Sequence, residues 1–259
     1  MRYVLAGANR ELLKAFACSN MLLALDFDGT LAPIVNDPAR AEMRATTRGL
    51  LREVAGRRPC VVISGRARSD LRRRLDGTGV AAVIGNHGLE PSSVTASARR
   101  IVRRWLPLLR GRLDEVRGIA IEDKGLTIAI HYRNAPQRAA TRRRIAEVAA
   151  EMDGVRLLGG KLVINVLPAG APHKGSALEA ARERFGCDTA LYVGDDDTDE
   201  DVFALDQPGR LLAIRVGRRR DSAAGYYIRN QREIDGVLRA LSGSPTAAAG
   251  GSGEARARD

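Results

Sequence analysis

Met21-Leu22-Leu23-Ala24-Leu25-Asp26-Phe27-Asp28-Gly29-Thr30 is an apolar run that ends in a pair of acids. Five consecutive apolar residues leave no polar face, which reads as a strand buried on both sides. On an extended chain Asp26 and Asp28 are two residues apart, so their side chains leave the same face. A second run, Ala190-Leu191-Tyr192-Val193, ends in Gly194-Asp195-Asp196-Asp197-Thr198-Asp199. Carboxylates crowded at strand ends repel one another and need compensation. A hard divalent cation supplies it, and Mg²⁺ takes a few carboxylates together with water and substrate phosphate. One carboxylate of the first pair can then attack phosphorus while the other moves protons. The pattern points to metal-assisted phosphoryl chemistry.

Outward from these clusters, short strand-like runs at 60–63, 81–84 and 211–216 alternate with helical spacing at 44–56, 68–75, 174–185 and 233–241. Such alternation predicts an α/β fold, a doubly wound and mainly parallel sheet with helices on both faces. Ligands bind such sheets beyond the carboxyl ends of the strands, where both acid clusters fall. The middle of the chain reads differently. A helix over 97–116 precedes strands at 119–122 and 126–132, and a helix over 136–152 precedes strands at 155–158 and 161–166. Gly125 and Gly159-Gly160 are expected to form the tight turns. These units predict a small α+β domain, 91–168, inserted into a core made of 1–90 and 169–242. The stretch 243–259, rich in Ala, Gly and Ser, is expected to be disordered.

Composition narrows the function classes. No run approaches the roughly 18 apolar residues of a membrane span, and the N-terminus lacks a signal-peptide layout. Three distant cysteines, Cys18, Cys60 and Cys187, form no CxxC pair, which suits a cytoplasmic protein. The net charge is +11, and only Lys14, Lys124, Lys161 and Lys174 of the 42 basic residues are lysine. Arginine runs such as 72–74, 142–144 and 218–220 contain no interleaved aromatics for stacking on single strands. They read first as a solvated surface and second as a field that draws in an anionic substrate. Nucleic-acid binding ranks last.

Two further sites sit at helix starts. Ser64-Gly65-Arg66 follows the run 60–63, where a hydroxyl and a backbone N–H suit a phosphate oxygen; the serine would serve equally as an N-cap. Lys174 opens a helix, against the positive end of its dipole. In a chain so poor in lysine this suggests a charged partner, phosphate or Asp26, against the alternative of an exposed surface lysine. Asp195 and Asp199 could share one face of a helical turn and complete a metal shell with Asp26.

Taken in order, DxDxT, Ser-Gly-Arg, Lys and GDDxxD resemble the haloacid dehalogenase-like phosphatases, over residues 13–241. The resemblance implies a Rossmann-like catalytic core and a cap domain. It implies that Asp26 is the nucleophile of an aspartyl-phosphate intermediate, with Asp28 as general acid and base. Thr30, Ser64, Gly65 and Lys174 would hold the phosphate. Mg²⁺ would sit on Asp26, Asp28 through its carbonyl, and Asp195, with Asp199 in support. Gly85-Asn86-His87-Gly88-Leu89-Glu90, Glu122-Asp123-Lys124 and His131-Tyr132-Arg133 are similar to segments of trehalose-6-phosphate phosphatases. Carried over by motif, Arg66, His87, Glu90, Glu122, Lys124, Arg133 and Asn165 become contacts to a sugar phosphate. In that family a Glu-x-Arg-Pro segment is usual where this chain reads Asn165-Val166-Leu167-Pro168. The resemblance thus implies trehalose 6-phosphate hydrolysis, with another sugar or glycosyl-glycerate phosphate as the alternative. A non-enzymatic nucleic-acid-binding module is the third reading.

Overall fold

Nineteen strands and α-helices follow one another in the described residues, 1–35, 37–91, 95–205 and 207–243 of a computed structural model. They begin β1 (Arg2–Tyr3), α1 (Arg10–Cys18), β2 (Met21–Leu25), α2 (Ala45–Ala55), β3 (Cys60–Ile63), α3 (Arg68–Arg74) and β4 (Ala82–Ile84). Next come α4 (Thr95–Leu113), β5 (Ala120–Asp123), β6 (Ile128–His131), α5 (Arg138–Ala150), β7 (Val155–Gly160) and β8 (Val163–Pro168). The chain continues through α6 (Lys174–Arg184), β9 (Thr189–Gly194), α7 (Glu200–Phe203), β10 (Leu211–Val216), β11 (Tyr226–Ile228) and α8 (Ile234–Ser242). Most of the expected stretch 243–259 lies outside the described residues.

The first sheet has the order β1-β11-β10-β9-β2-β3-β4, with every pairing parallel. β2 lies inside it, between β9 and β3, which explains the unbroken apolar run. Met21, Leu23 and Leu25 pack on one face with Leu13, Phe16, Leu51, Val54, Leu238 and Leu241 from α1, α2 and α8. Leu22 and Ala24 face the other way, toward Leu178 and Ala181 of α6 and Phe203 of α7. Burial on both faces leaves little room to relax, so truncating Leu23 to Ala should cost about 2–5 kcal/mol. Arg58 ties the helices of the first face together. It is buried, and its guanidinium donates to the Ala17 and Leu241 carbonyls near the C-terminal ends of α1 and α8.

The segment between β4 and α6 builds a separate antiparallel sheet, β5-β6-β8-β7. Its two faces are distinct. Ile128, Ile130, Ile164 and Val166 pack under Trp105 and Leu109 of α4 and Ile145 and Val148 of α5. Ala129 pairs with Asn165 and His131 with Val163, so these residues alternate onto the opposite face. That face looks toward the carboxyl ends of the parallel strands.

One expectation is corrected. Gly159 and Gly160 do not form the hairpin turn; they are the last residues of β7, and Gly160 pairs with Val163. The turn is Lys161-Leu162, with Leu162 in the left-handed region at φ 62°. The glycines serve a close approach instead. A Cβ on Gly160 would stand 3.0 Å from Asp196 Oδ2 and 2.8 Å from Val163 Cγ1, and one on Gly159 would stand 3.9 Å from Asp197 Oδ2. The small sheet therefore rests on the second acid cluster. Arg156 of β7 adds an ion pair to Asp201 of α7, its Nη2 donating to the two carboxylate oxygens at 3.0 and 3.1 Å.

Candidate active site

β2 and β9 are neighbours in register, with Leu25 opposite Val193, so the acid clusters that follow them emerge side by side. Asp26 donates its backbone N–H to the Val193 carbonyl, which locks the two loop starts together. Carboxylate oxygens of Asp26, Asp195 and Asp199 lie within 4.8 Å of one another. Gly29 makes this convergence possible. It has φ 79°, and a Cβ there would fall 2.1 Å from Asp195 Oδ2. Any larger residue would expel Asp195 from the cluster.

Lys174 compensates the acids. Its Nζ donates to Asp199 Oδ1 at 2.7 Å and to Asp26 Oδ1 at 3.0 Å, with the residue only 2% exposed. Burial opposes its charge, but the Asp199 and Asp26 carboxylates outweigh that and raise its pKa. One lysine does not satisfy three acids. Burial, with Asp199 and Asp28 adding to it against the pull of Lys174, pushes Asp26 up to about 7. Burial and then Asp26 push Asp195 up to about 9. Asp195 Oδ1 is buried without a hydrogen-bond partner. Hard oxygen donors, an unsatisfied carboxylate oxygen and a surplus of negative charge fit a hard divalent cation.

Asp199 also braces the loop. Its Oδ2 accepts the backbone N–H groups of Asp195 and Asp196, each at 2.9 Å, and its Oδ1 takes the hydroxyl of buried Tyr192 at 2.5 Å. The two acids do not share a helical face. Asp195 precedes the 3₁₀ turn Asp197–Asp199, which curls Asp199 back beneath it.

Asp28 stands on the opposite side, 40% exposed at its side chain. Arg66 grips it with two bonds, Nε to Oδ2 at 2.6 Å and Nη2 to Oδ1 at 2.7 Å. Arg66 also reaches Asp70 and the Pro38 carbonyl.

A cavity of about 340 Å³ gathers most of the expected residues: Asp26, Asp28, Ser64, Gly65, Arg66, His87, Glu122, Lys124, Arg133, Asn165, Lys174 and Asp195. Its roof is the open face of the small sheet. There Glu122 pairs with His131 at 2.9 Å, which lowers the Glu122 pKa. Lys124 donates to the Gly65 carbonyl at 3.1 Å and links the two sheets. His87 is buried, and neither ring nitrogen has a hydrogen-bond partner. Burial, with Lys124 and Lys174 nearby, holds it well below the usual histidine range, so the ring is neutral. Its ring lies against Gly65, where a Cβ would meet Cε1 at 2.4 Å.

Two expected contacts lie off the cavity wall. Glu90 spends its Oε2 on the Arg68 backbone N–H and on Asn86 Nδ2, both at 2.8 Å, so it ties the 85–90 turn to the start of α3. Thr30 is fully buried beneath the Asp26 loop, its Oγ1 without a hydrogen-bond partner. Asp199, expected to support a metal, belongs to the acid cluster but is completely buried behind it.

Residues 24–223 match the trehalose-phosphatase family. The chain belongs to that family. It is 34% identical over 211 residues to the trehalose-phosphate phosphatase of Mycolicibacterium paratuberculosis, covering 74% of this chain and 52% of that one. It is 27% identical over 260 residues to a trehalose 6-phosphate phosphatase of Zea mays, covering 89% and 72%. Among solved structures, the C-terminal domain of the C. albicans trehalose-6-phosphate phosphatase superposes with a TM-score of 0.78. That pair shares 23% identity and covers 91% of this chain and 97% of the other. The chain thus spans about half to three quarters of the length of these curated relatives. Its fold, a parallel core sheet with an added cap sheet, is that of the haloacid dehalogenase-like phosphatases.

Family membership accounts for the motifs and leaves their bracing to the structure. Gln231 donates from Nε2 to the Thr30 and Leu31 carbonyls, both at 3.0 Å, and holds the loop that follows Asp26. Arg215 holds the Asp195 loop in a similar way. Neither residue sits in a motif. Both are set by contacts about 200 and 20 residues away in sequence, which no local pattern announces.

Proposed function

We propose that this chain is a Mg²⁺-dependent cytoplasmic phosphatase that hydrolyses trehalose 6-phosphate to trehalose and phosphate. The observation that carries the reading is the Asp26–Asp195–Asp199 cluster, bridged by buried Lys174 on the floor of a cavity roofed by polar cap residues. In this reading 1–90 and 169–242 form the catalytic core, and 91–168 form the cap that selects the substrate.

An Asp26 carboxylate oxygen attacks phosphorus, the phosphorus–oxygen bond to the sugar breaks, and an aspartyl-phosphate remains. Asp28, which takes up a proton from solvent once Arg66 releases its carboxylate, gives that proton to the departing alkoxide, then takes one from the water that attacks the phosphoenzyme and restores Asp26. Arg66 fixes the Asp28 carboxylate in the resting site and yields it as the substrate enters. Ser64 Oγ, the Gly65 N–H and Lys174 Nζ receive the phosphoryl oxygens. Asp26, Asp195 and the Asp28 carbonyl would hold the metal ion, with Asp199 behind them. Bound there, Mg²⁺ would neutralise charge on the phosphoryl oxygens and keep Asp26 ionised at neutral pH. Glu122, Lys124, Arg133 and His87 grip the sugar, so that remote binding energy orients the phosphate.

A second reading keeps the chemistry and changes the sugar. Asn165 faces the cavity with its Oδ1 unpartnered, where the family's usual carboxylate would stand. Its amide still hydrogen-bonds a hydroxyl but offers no bidentate carboxylate. Another glycosyl phosphate would suit that wall. Phosphate release from a panel of sugar phosphates, with Mg²⁺ and then with excess EDTA, tests both readings. Fastest turnover of trehalose 6-phosphate, lost in EDTA, is the expected result. Preference for another glycosyl phosphate selects the second reading, and full activity in EDTA refutes the metal requirement.

A further inference from the structure

Behind the acid cluster, on the side away from the cavity, lies a buried arginine that no motif contains. Arg215 sits on β10, opposite Gly194 in the register, and is 5% exposed. Its Nη2 donates to the Asp195 carbonyl at 2.7 Å and its Nη1 to the Asp196 carbonyl at 3.1 Å. Nη1 also meets Glu200 Oε1 at 2.9 Å, and the guanidinium carbon lies 6.0 Å from the centre of the Phe203 ring. Glu200 in turn is fixed by the Ala223 N–H on its other oxygen.

The loop between β9 and α7 is therefore held from two sides. Asp199 takes its N–H groups from within, and Arg215 takes its carbonyls from behind. We infer that Arg215 is a positioning residue for the metal shell: by fixing the Asp195 and Asp196 carbonyls, it holds the Asp195 carboxylate over Gly29 and beside Asp26. The inference rests on the metal reading above. The geometry is specific to arginine. A planar fork reaches two carbonyls and a carboxylate together, whereas a lysine ammonium is a single point on a flexible stem. A loop freed on that side lets Asp195, crowded by two other acids, swing out of the cluster.

Mn²⁺ binding, followed by electron paramagnetic resonance on the full chain, reads this directly without any turnover. Groups that orient metal ligands typically change affinity by about 10–100-fold when removed. Arg215→Lys is expected to weaken Mn²⁺ binding by about tenfold and Arg215→Gln by more. At saturating metal, Arg215→Lys should recover kcat to within about threefold, with KM for the phosphate ester unchanged. Glu200→Gln leaves both carbonyl bonds in place and should stay within about threefold of wild type in Mn²⁺ affinity. Wild-type affinity in a folded Arg215→Lys protein overturns the inference alone. Loss of cooperative melting in both Arg215 variants makes the role structural and also overturns it. Absence of Mn²⁺ binding by the wild-type protein overturns the metal reading, and this inference with it.

Discussion

Replacing Asp26 with asparagine should stop turnover and, in the metal-free protein, increase stability. Asp26 is almost fully buried, and its surroundings hold its pKa at about 7 against an ordinary 3.8. At about 1.4 kcal/mol per pH unit, keeping it ionised in the fold at pH 8 costs about 4 kcal/mol. That cost already includes the pull of Lys174 on the carboxylate, and asparagine, which carries no charge, removes it. The gain is about 4 kcal/mol, or about 10 °C in Tm for a chain of this size. The sign depends on pH. Between about pH 4 and pH 7 the folded wild type holds a proton that the unfolded chain has released, so its stability falls as pH rises through that window. The substituted amide has no such proton, so the advantage of the variant should vanish near pH 4. Thermal melts in EDTA at pH 8 and pH 4, together with phosphate release in Mg²⁺, measure both halves. An Asp26→Asn protein that melts at or below wild type in EDTA at pH 8 would refute the idea that crowding strains this site. Turnover within tenfold of wild type would remove Asp26 from the chemistry.

The same charges predict that metal-free wild type melts higher at pH 5 than at pH 8, because Asp26 and Asp195 both bind protons more tightly when folded. Saturating Mg²⁺ should raise the pH 8 melt more than the pH 5 melt, and a uniform rise would contradict it. Gly29→Ala should cut phosphate release at least 100-fold, since its Cβ would land 2.1 Å from Asp195 Oδ2; activity within threefold counts against the cluster geometry. Lys124→Ala should lower kcat/KM for trehalose 6-phosphate by more than tenfold while sparing p-nitrophenyl phosphate, which has no sugar to grip; equal losses on both substrates would assign Lys124 to the chemistry. Arg58→Met should lose about 2–4 kcal/mol, from two buried bonds made by a charged donor, and an unchanged Tm would show that the helix ends need no such tie.

The fold was legible wherever burial is two-sided or the period is clear. β2 and β3 fall where unbroken apolar runs predict them, β10 where an apolar run is broken only by Arg215, and α2, α3, α6 and α8 fall within a residue or two of their helical spacing. Three elements carry no comparable signal. β1 and β11 have two and three residues, too short for any period, and exist because each completes the parallel edge for the other. α7 is a single turn whose acids also serve the adjoining loop and cap sheet. α1, absent from the expected elements, does show an amphipathic pattern, with Leu13, Phe16 and Ala17 on its buried face. The Gly159-Gly160 turn failed for a tertiary reason, since glycine reports a need for space as readily as a need for positive φ.

Residues of the site were legible as types and less so as directions. Two departures from the family pattern, Asn165 and Leu167, look alike in sequence, each replacing a charged residue. On β8 they lie on the same face, two residues apart, yet their surroundings differ. Asn165 reaches the cavity wall, whereas Leu167 is fully buried with Leu89, Ala98 and Leu126 at the foot of the cap. A charge at 167 would sit in an apolar cluster at a cost of several kcal/mol, so leucine there fits its packing and says little about substrate. Of the two departures, only Asn165 lies where it would bear on which sugar phosphate the wall suits. Asn165→Glu tests this directly: it should raise trehalose 6-phosphate turnover if the wall has merely lost a carboxylate. Lower turnover on trehalose 6-phosphate, alongside an existing preference for another glycosyl phosphate, would leave the phosphatase chemistry standing and replace its substrate.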